Sequence, residues 1–89
     1  MQRRTYYFSG QVQGVGFRYT ARHAATGRKV TGFVRNLDDG RVELVLEGPD
    51  PEMDAVLEAI QADLGHNIKH TTCDPGPATG EFQGFTIRH

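Results

Sequence analysis

Eighty-nine residues with ten Lys and Arg against eleven Asp and Glu carry a formal charge of -1, so bulk electrostatics offers no case for nucleic acid binding. Hydrophobic residues at 37% and charged residues at 24% describe a globular chain long enough for one modest core, expected as a single domain over 1–89. One cysteine, Cys73, excludes an internal disulfide, and no apolar run reaches the ~18–20 residues of a membrane span. Met1 to Phe8 holds two arginines without the apolar stretch of a secretory leader, so a soluble cytoplasmic protein with no membrane partner is expected.

From Arg4 to Val12 the chain alternates, with Tyr6, Phe8 and Val12 on one face, which predicts a half-buried strand. Gly14-Val15-Gly16 breaks the alternation. Phe17, Ala21 and Ala24 then recur at helical spacing until Gly27 offers a stop. Val30 to Leu37 reads as a second strand. Arg41 to Glu47 reads as a third, in which Val42, Leu44 and Leu46 alternate with Arg41, Glu43 and Glu47. Asp38-Asp39-Gly40 between them is a hairpin signal, because such turns need a residue that tolerates positive φ.

Asp50-Pro51 predicts a helix start, with Asp50 as the capping residue and proline at the first helical position. Met53, Val56, Leu57, Ile60 and Leu64 make the core stripe of that helix, closed by Gly65. Asn67 to Thr72 reads as a weak strand, Asp74 to Gly80 as a Pro/Gly-rich loop, and Phe85 to Arg88 as a short final strand.

The order βαββα followed by one or two strands predicts an α+β fold of βαββαβ type, a ferredoxin-like α/β sandwich with a mixed, largely antiparallel sheet and two helices on one face. In that topology the first and second strands run parallel, with the third between them. Their C-terminal ends then lie on one edge, two strand spacings or ~10 Å apart. The Gln13–Arg18 turn and the strand end at Asn36 should therefore face each other.

Gln13-Gly14-Val15-Gly16-Phe17-Arg18 joins a strand to a helix N-terminus. Without Cβ atoms at the glycines, successive amides can converge on an anion, assisted by the helix dipole. The turn lacks the Gly-Lys-Ser/Thr of a nucleotide-binding P-loop and the third glycine of a dinucleotide fingerprint, so spacing alone also suits a plain tight connection. Arg18 sits in the first helical turn, where positive charge is unfavourable unless an anion neutralises it. Such local conflicts concentrate at functional sites, although a solvated surface arginine is the commoner fate of any single Arg.

Two stretches, Gly10-Gln11-Val12-Gln13-Gly14-Val15-Gly16-Phe17-Arg18 and Gly32-Phe33-Val34-Arg35-Asn36-Leu37-Asp38-Asp39-Gly40-Arg41-Val42-Glu43, closely resemble the acylphosphatase family. The ending Gly84-Phe85-Thr86-Ile87-Arg88 is similar to that family's last strand, so the resemblance spans essentially the whole chain. It implies a metal-independent hydrolase, without cofactor, that splits small-molecule acyl phosphates and takes inorganic phosphate as product and inhibitor. It also implies that Gln13, Gly14, Val15, Gly16 and Phe17 form the backbone phosphate-binding loop. Arg18 would be the phosphate-binding arginine and Asn36 the residue that positions the attacking water. Arg28-Lys29 after the first helix and Leu37 after Asn36 depart from the family's pattern. A monomer is expected.

Other candidates are thinner. His66 and His70 lie four apart on a probable strand stretch without a third ligand, His23 reads as solvated and His89 as simply terminal. Asp38 and Asp39 fit a turn better than a metal pair, and Cys73 has no basic neighbour to activate it. A binding module on the same fold is the competing class, since Thr31-Gly32-Phe33-Val34-Arg35 faintly echoes an RNA-recognition signature. Its aromatic set is incomplete, and no nucleic acid partner is expected. A carbamoyl-phosphate-handling domain of hydrogenase maturation is a further relative, disfavoured because no zinc-finger cysteines follow before His89.

Overall fold

The alternating aromatic stretch forms the strand β1 (Gln2–Gly10), in a computed structural model that describes residues 1–89. There follow the helix α1 (Phe17–Ala25), strands β2 (Thr31–Asn36) and β3 (Val42–Gly48), and the helix α2 (Asp50–Leu64). A 3₁₀ turn at Gly65–Asn67 leads to β4 (Ile68–Pro77) and β5 (Phe85–Arg88). The sheet order is β4-β1-β3-β2-β5. β3 is antiparallel to both β1 and β2, which are therefore parallel to each other with β3 between them, as the element order predicts.

Side chains alternate across the sheet, and the register aligns one apolar row: Tyr6 opposite Leu44, Leu44 opposite Val34, Val34 opposite Ile87. Both helices close over this face. Phe17 and Ala21 of α1 and Met53, Val56 and Ile60 of α2 join Phe8, Leu44 and Leu46 in a single buried cluster. Leu57 and Leu64 pack at its margin, so the stripe read for α2 is the stripe that is buried. The architecture is a ferredoxin-like α+β sandwich.

Two local expectations need correction. Asp50 is the first helical residue rather than the cap. Pro49 takes the cap position, its carbonyl accepting from the amides of Glu52 and Met53 at 3.0 and 3.1 Å. The Asp50 carboxylate instead lies 3.3 Å from Arg4, which also reaches Asp54 at 2.6 Å, so attraction to a strand cation draws it off the helix end. Gly65 closes α2 as expected, keeping right-handed helical angles and feeding the 3₁₀ turn. The strand after it continues through Asp74, Pro75 and Gly76 to Pro77, where a loop was expected. β4 is an edge strand pairing only with β1, and Pro75 and Pro77 share a parity, so both can turn their nitrogens away from the ladder.

β3 alternates as read, with Glu43 and Glu47 on the face opposite Leu44 and Leu46. Glu43 and Glu47 are buried, because the strand is central and their carboxylates have partners. Glu43 accepts from Tyr7 Oη at 3.0 Å and Arg35 Nε at 2.6 Å. Glu47 accepts from the Thr79 and Gly80 amides and the Thr79 hydroxyl at 2.9–3.0 Å, pinning the segment before β5 across the sheet. Burial pushes the Glu47 carboxyl up, but these donors together with Arg3 outweigh it and hold it below the ordinary glutamate range.

A depressed carboxyl stabilises fully above its unfolded pKa of about 4.3, and that contribution is lost as pH falls through the folded value. Glu47→Gln should therefore lower the melting temperature at pH 7 by several degrees, for a loss of about 1–2 kcal/mol. The gap between wild type and variant should narrow in thermal scans at pH 3. A gap independent of pH would show that the charge on Glu47 is not its source.

Candidate active site

Two buried side chains hold the turn after β1. Val12 is fully buried, and Phe17 packs on Phe8 with ring centroids 4.9 Å apart. Gly14 and Gly16 between them have φ of +78° and +77°, left-handed angles that a side chain would strain. Neither Cβ would strike a neighbour, so the requirement is for backbone conformation rather than for space. A third tie comes from the Gln13 side-chain amide, which donates to the carbonyls of Leu37 and Arg41 at 2.8 and 3.0 Å. It fastens the turn to the β2–β3 hairpin, so Leu37 contributes through its backbone.

No backbone amide from Gly14 through Arg18 donates to another backbone group. Successive amides at left-handed glycines form a concave nest of donors, here merging with the N-terminus of α1, which has no acidic residue in its first turn. The fold has one surface pocket, about 260 Å³, and it opens here. Gly14, Gly16, Phe17 and Arg18 line it from the turn and helix, Val12 and Asn36 from the strand side, and Tyr19 at the next helical position. Gln13 and Val15 belong to the turn but do not line the pocket.

Arg18 and Asn36 thus line one pocket although seventeen residues of helix, turn and strand separate them in the chain. Asn36 ends β2 and shares the parity of core-facing Val34, which puts it on the helix side of the sheet. Phe17, anchored in the core, fixes the first turn of α1 and with it the base of Arg18. The Arg18 guanidinium forms no ion pair; its Nη1 donates to Nδ1 of His89 at 3.0 Å. Since arginine can only donate, Nδ1 of His89 is the acceptor in this contact.

His89 is the contact that reading the residues in order misses. β5 runs parallel to β2 with Arg35 opposite Arg88, so the next residue on each strand is Asn36 and His89. That pairing carries His89 to Arg18. Val12 and Tyr19 also escaped notice, Val12 as a core residue and Tyr19 as one aromatic on a polar helix.

The remaining candidates lie elsewhere. His66 is in the 3₁₀ turn and His70 on β4, while His23 is exposed. Asp39 caps its own hairpin, accepting from the Arg41 backbone amide at 3.0 Å and its Nε at 2.7 Å, which hold the carboxyl below its usual range. Cys73 is exposed on the edge strand. Phe33, which an RNA platform would need open, is 6% exposed beneath Arg88, whose guanidinium carbon is 3.9 Å from the ring centre, and beside Phe82. No helix is long and apolar enough to cross a membrane.

Known proteins share this chain's pattern. The family described as acylphosphatase matches residues 4–87. The acylphosphatase of Syntrophus aciditrophicus is 43% identical over 88 residues, covering 98% of this chain and 92% of that protein. That of Haloarcula marismortui is 56% identical over 52 residues, covering 58% of this chain and 57% of that protein. The crystal structure of acylphosphatase from Bacillus subtilis is similar over the full length of both chains, with a TM-score of 0.88 and 31% identity.

Proposed function

Because this chain belongs to the acylphosphatase family, we propose that it hydrolyses the carboxyl–phosphate bond of small-molecule acyl phosphates in the pocket between α1 and β2. Arg18 and Asn36 are its catalytic side chains in this reading, and the Gln13–Phe17 turn is its phosphate cradle. The observation that carries the assignment is the run of unengaged amides from Gly14 to Arg18, opening on the pocket that Arg18 and Asn36 share.

An acyl phosphate is a mixed anhydride whose leaving group is a carboxylate of pKa near ~4, so it departs without a general acid. The protein's work is to hold the phosphoryl oxygens, stabilise charge in the transition state and aim a water in line. Amides of the turn and the two-pronged Arg18 guanidinium hold the oxygens. The Asn36 amide orients the water opposite the leaving carboxylate. The water oxygen bonds to phosphorus as the bridging P–O bond breaks, and the electron pair leaves with the carboxylate. Asparagine is no base, so the water proton passes to a phosphoryl oxygen, giving dihydrogen phosphate. Inorganic phosphate, the tetrahedral product, should bind the same cradle and inhibit competitively.

The chemistry calls for no metal, and no three His, Cys, Asp or Glu side chains converge to hold one. Benzoyl phosphate hydrolysed in ¹⁸O-water with excess EDTA should react at the rate seen without chelator. One ¹⁸O should appear in the phosphate. Loss of activity restored by a divalent cation, or label in the benzoate, would overturn this mechanism.

A further inference from the structure

Large apolar side chains are well covered in this fold, with three exceptions: Met1, Val15 and Tyr19. Met1 is the chain start. Val15, 38% exposed, lies in the turn between Gly14 and Gly16 without lining the pocket, whereas Tyr19, 60% exposed, forms part of the pocket wall. Single exposed apolar residues are ordinary on open surface, whereas a largely exposed aromatic ring in the wall of a pocket offers its occupant an apolar contact. Tyr19 is held there by Arg22 one helical turn on, whose guanidinium carbon lies 5.3 Å from the ring centre.

Resting on the hydrolase reading above, in-line displacement determines which wall the acyl group meets. With the phosphoryl group on the turn amides and Arg18, and water on Asn36 at the strand side, the leaving carboxylate must point away from Asn36. The walls that remain are the turn and the first turn of α1. We propose that Tyr19 forms an acyl-group subsite that favours substrates with a flat aromatic acyl group over short aliphatic ones. The ring offers an aromatic acyl group an offset or edge-on partner, and a methyl group gains little from it.

The test compares kcat/KM for benzoyl phosphate and acetyl phosphate in wild type, Tyr19→Ala and Tyr19→Phe. Taking the ratio within each protein, then comparing ratios between proteins, cancels the intrinsic reactivity of the two anhydrides and any partial unfolding. The benzoyl-to-acetyl ratio should fall about fivefold in Tyr19→Ala, the scale of one aromatic contact, and stay near wild type in Tyr19→Phe. An unchanged ratio in Tyr19→Ala, whether or not both activities drop, would overturn the subsite and leave the hydrolase reading standing. A wild type that turns over neither substrate would instead overturn the hydrolase reading and the subsite together.

Discussion

Arg18→Lys is expected to lower kcat/KM for an aryl acyl phosphate by ~10³-fold and to weaken inorganic phosphate binding in parallel. The substitution keeps the positive charge at the start of α1 but replaces a planar fork by a point donor. One guanidinium can grip two phosphoryl oxygens at once, and it keeps that geometry as charge shifts in the transition state. Arg18 is partly buried at the pocket wall, with its Nη1 on His89, so its geometry is prearranged rather than recruited. Lysine would need to give up rotamer freedom to bind and would satisfy fewer oxygens. Steady-state kinetics with phosphate inhibition checks both halves. A variant that loses turnover while its phosphate inhibition constant is unchanged would remove Arg18 from the ground-state cradle.

Asn36→Ala should behave differently. It removes the group that aims the water and leaves the amide nest and Arg18 intact. kcat should fall by ~10²-fold, equivalent to about 3 kcal/mol of barrier, with phosphate affinity within a few fold of wild type. Asn36 sits half-buried at the last position of β2, where its loss should cost only about 1 kcal/mol of folding stability. Thermal melts alongside the kinetics separate the two effects. Activity retained in Asn36→Ala, or lost only in proportion to unfolding, would end its water-positioning role.

Much of this design is readable from local pattern, because local physics decides it. Tyr6, Phe8 and Val12 alternate as a strand must when one face is buried, and Met53, Val56 and Ile60 recur as a helix must when one stripe is buried. Gly14 and Gly16 announce a backbone that needs left-handed angles, and Asp38-Asp39-Gly40 announces a hairpin. The element order then leaves few topologies, and the ferredoxin-like one brings the Gln13–Arg18 turn and Asn36 to the same edge. Each of these signals is complete within a dozen residues.

What only the tertiary structure decides are the properties that depend on a neighbour distant in the chain. Asp50 has the chemistry of a helix cap but turns to Arg4 on β1. Glu43 and Glu47 look like a solvated face, yet a central strand has no solvated face once Arg35, Tyr7 and Thr79 close over it. Pro75 and Pro77 read as loop residues because proline cannot donate to a ladder, an objection that vanishes on an edge strand bonded on one side. His89 has no local pattern at all, and reaches Arg18 because β5 pairs in parallel with β2. Periodicity records which way a side chain faces; its partner is determined by strand order and register, which arise only when the whole sheet assembles.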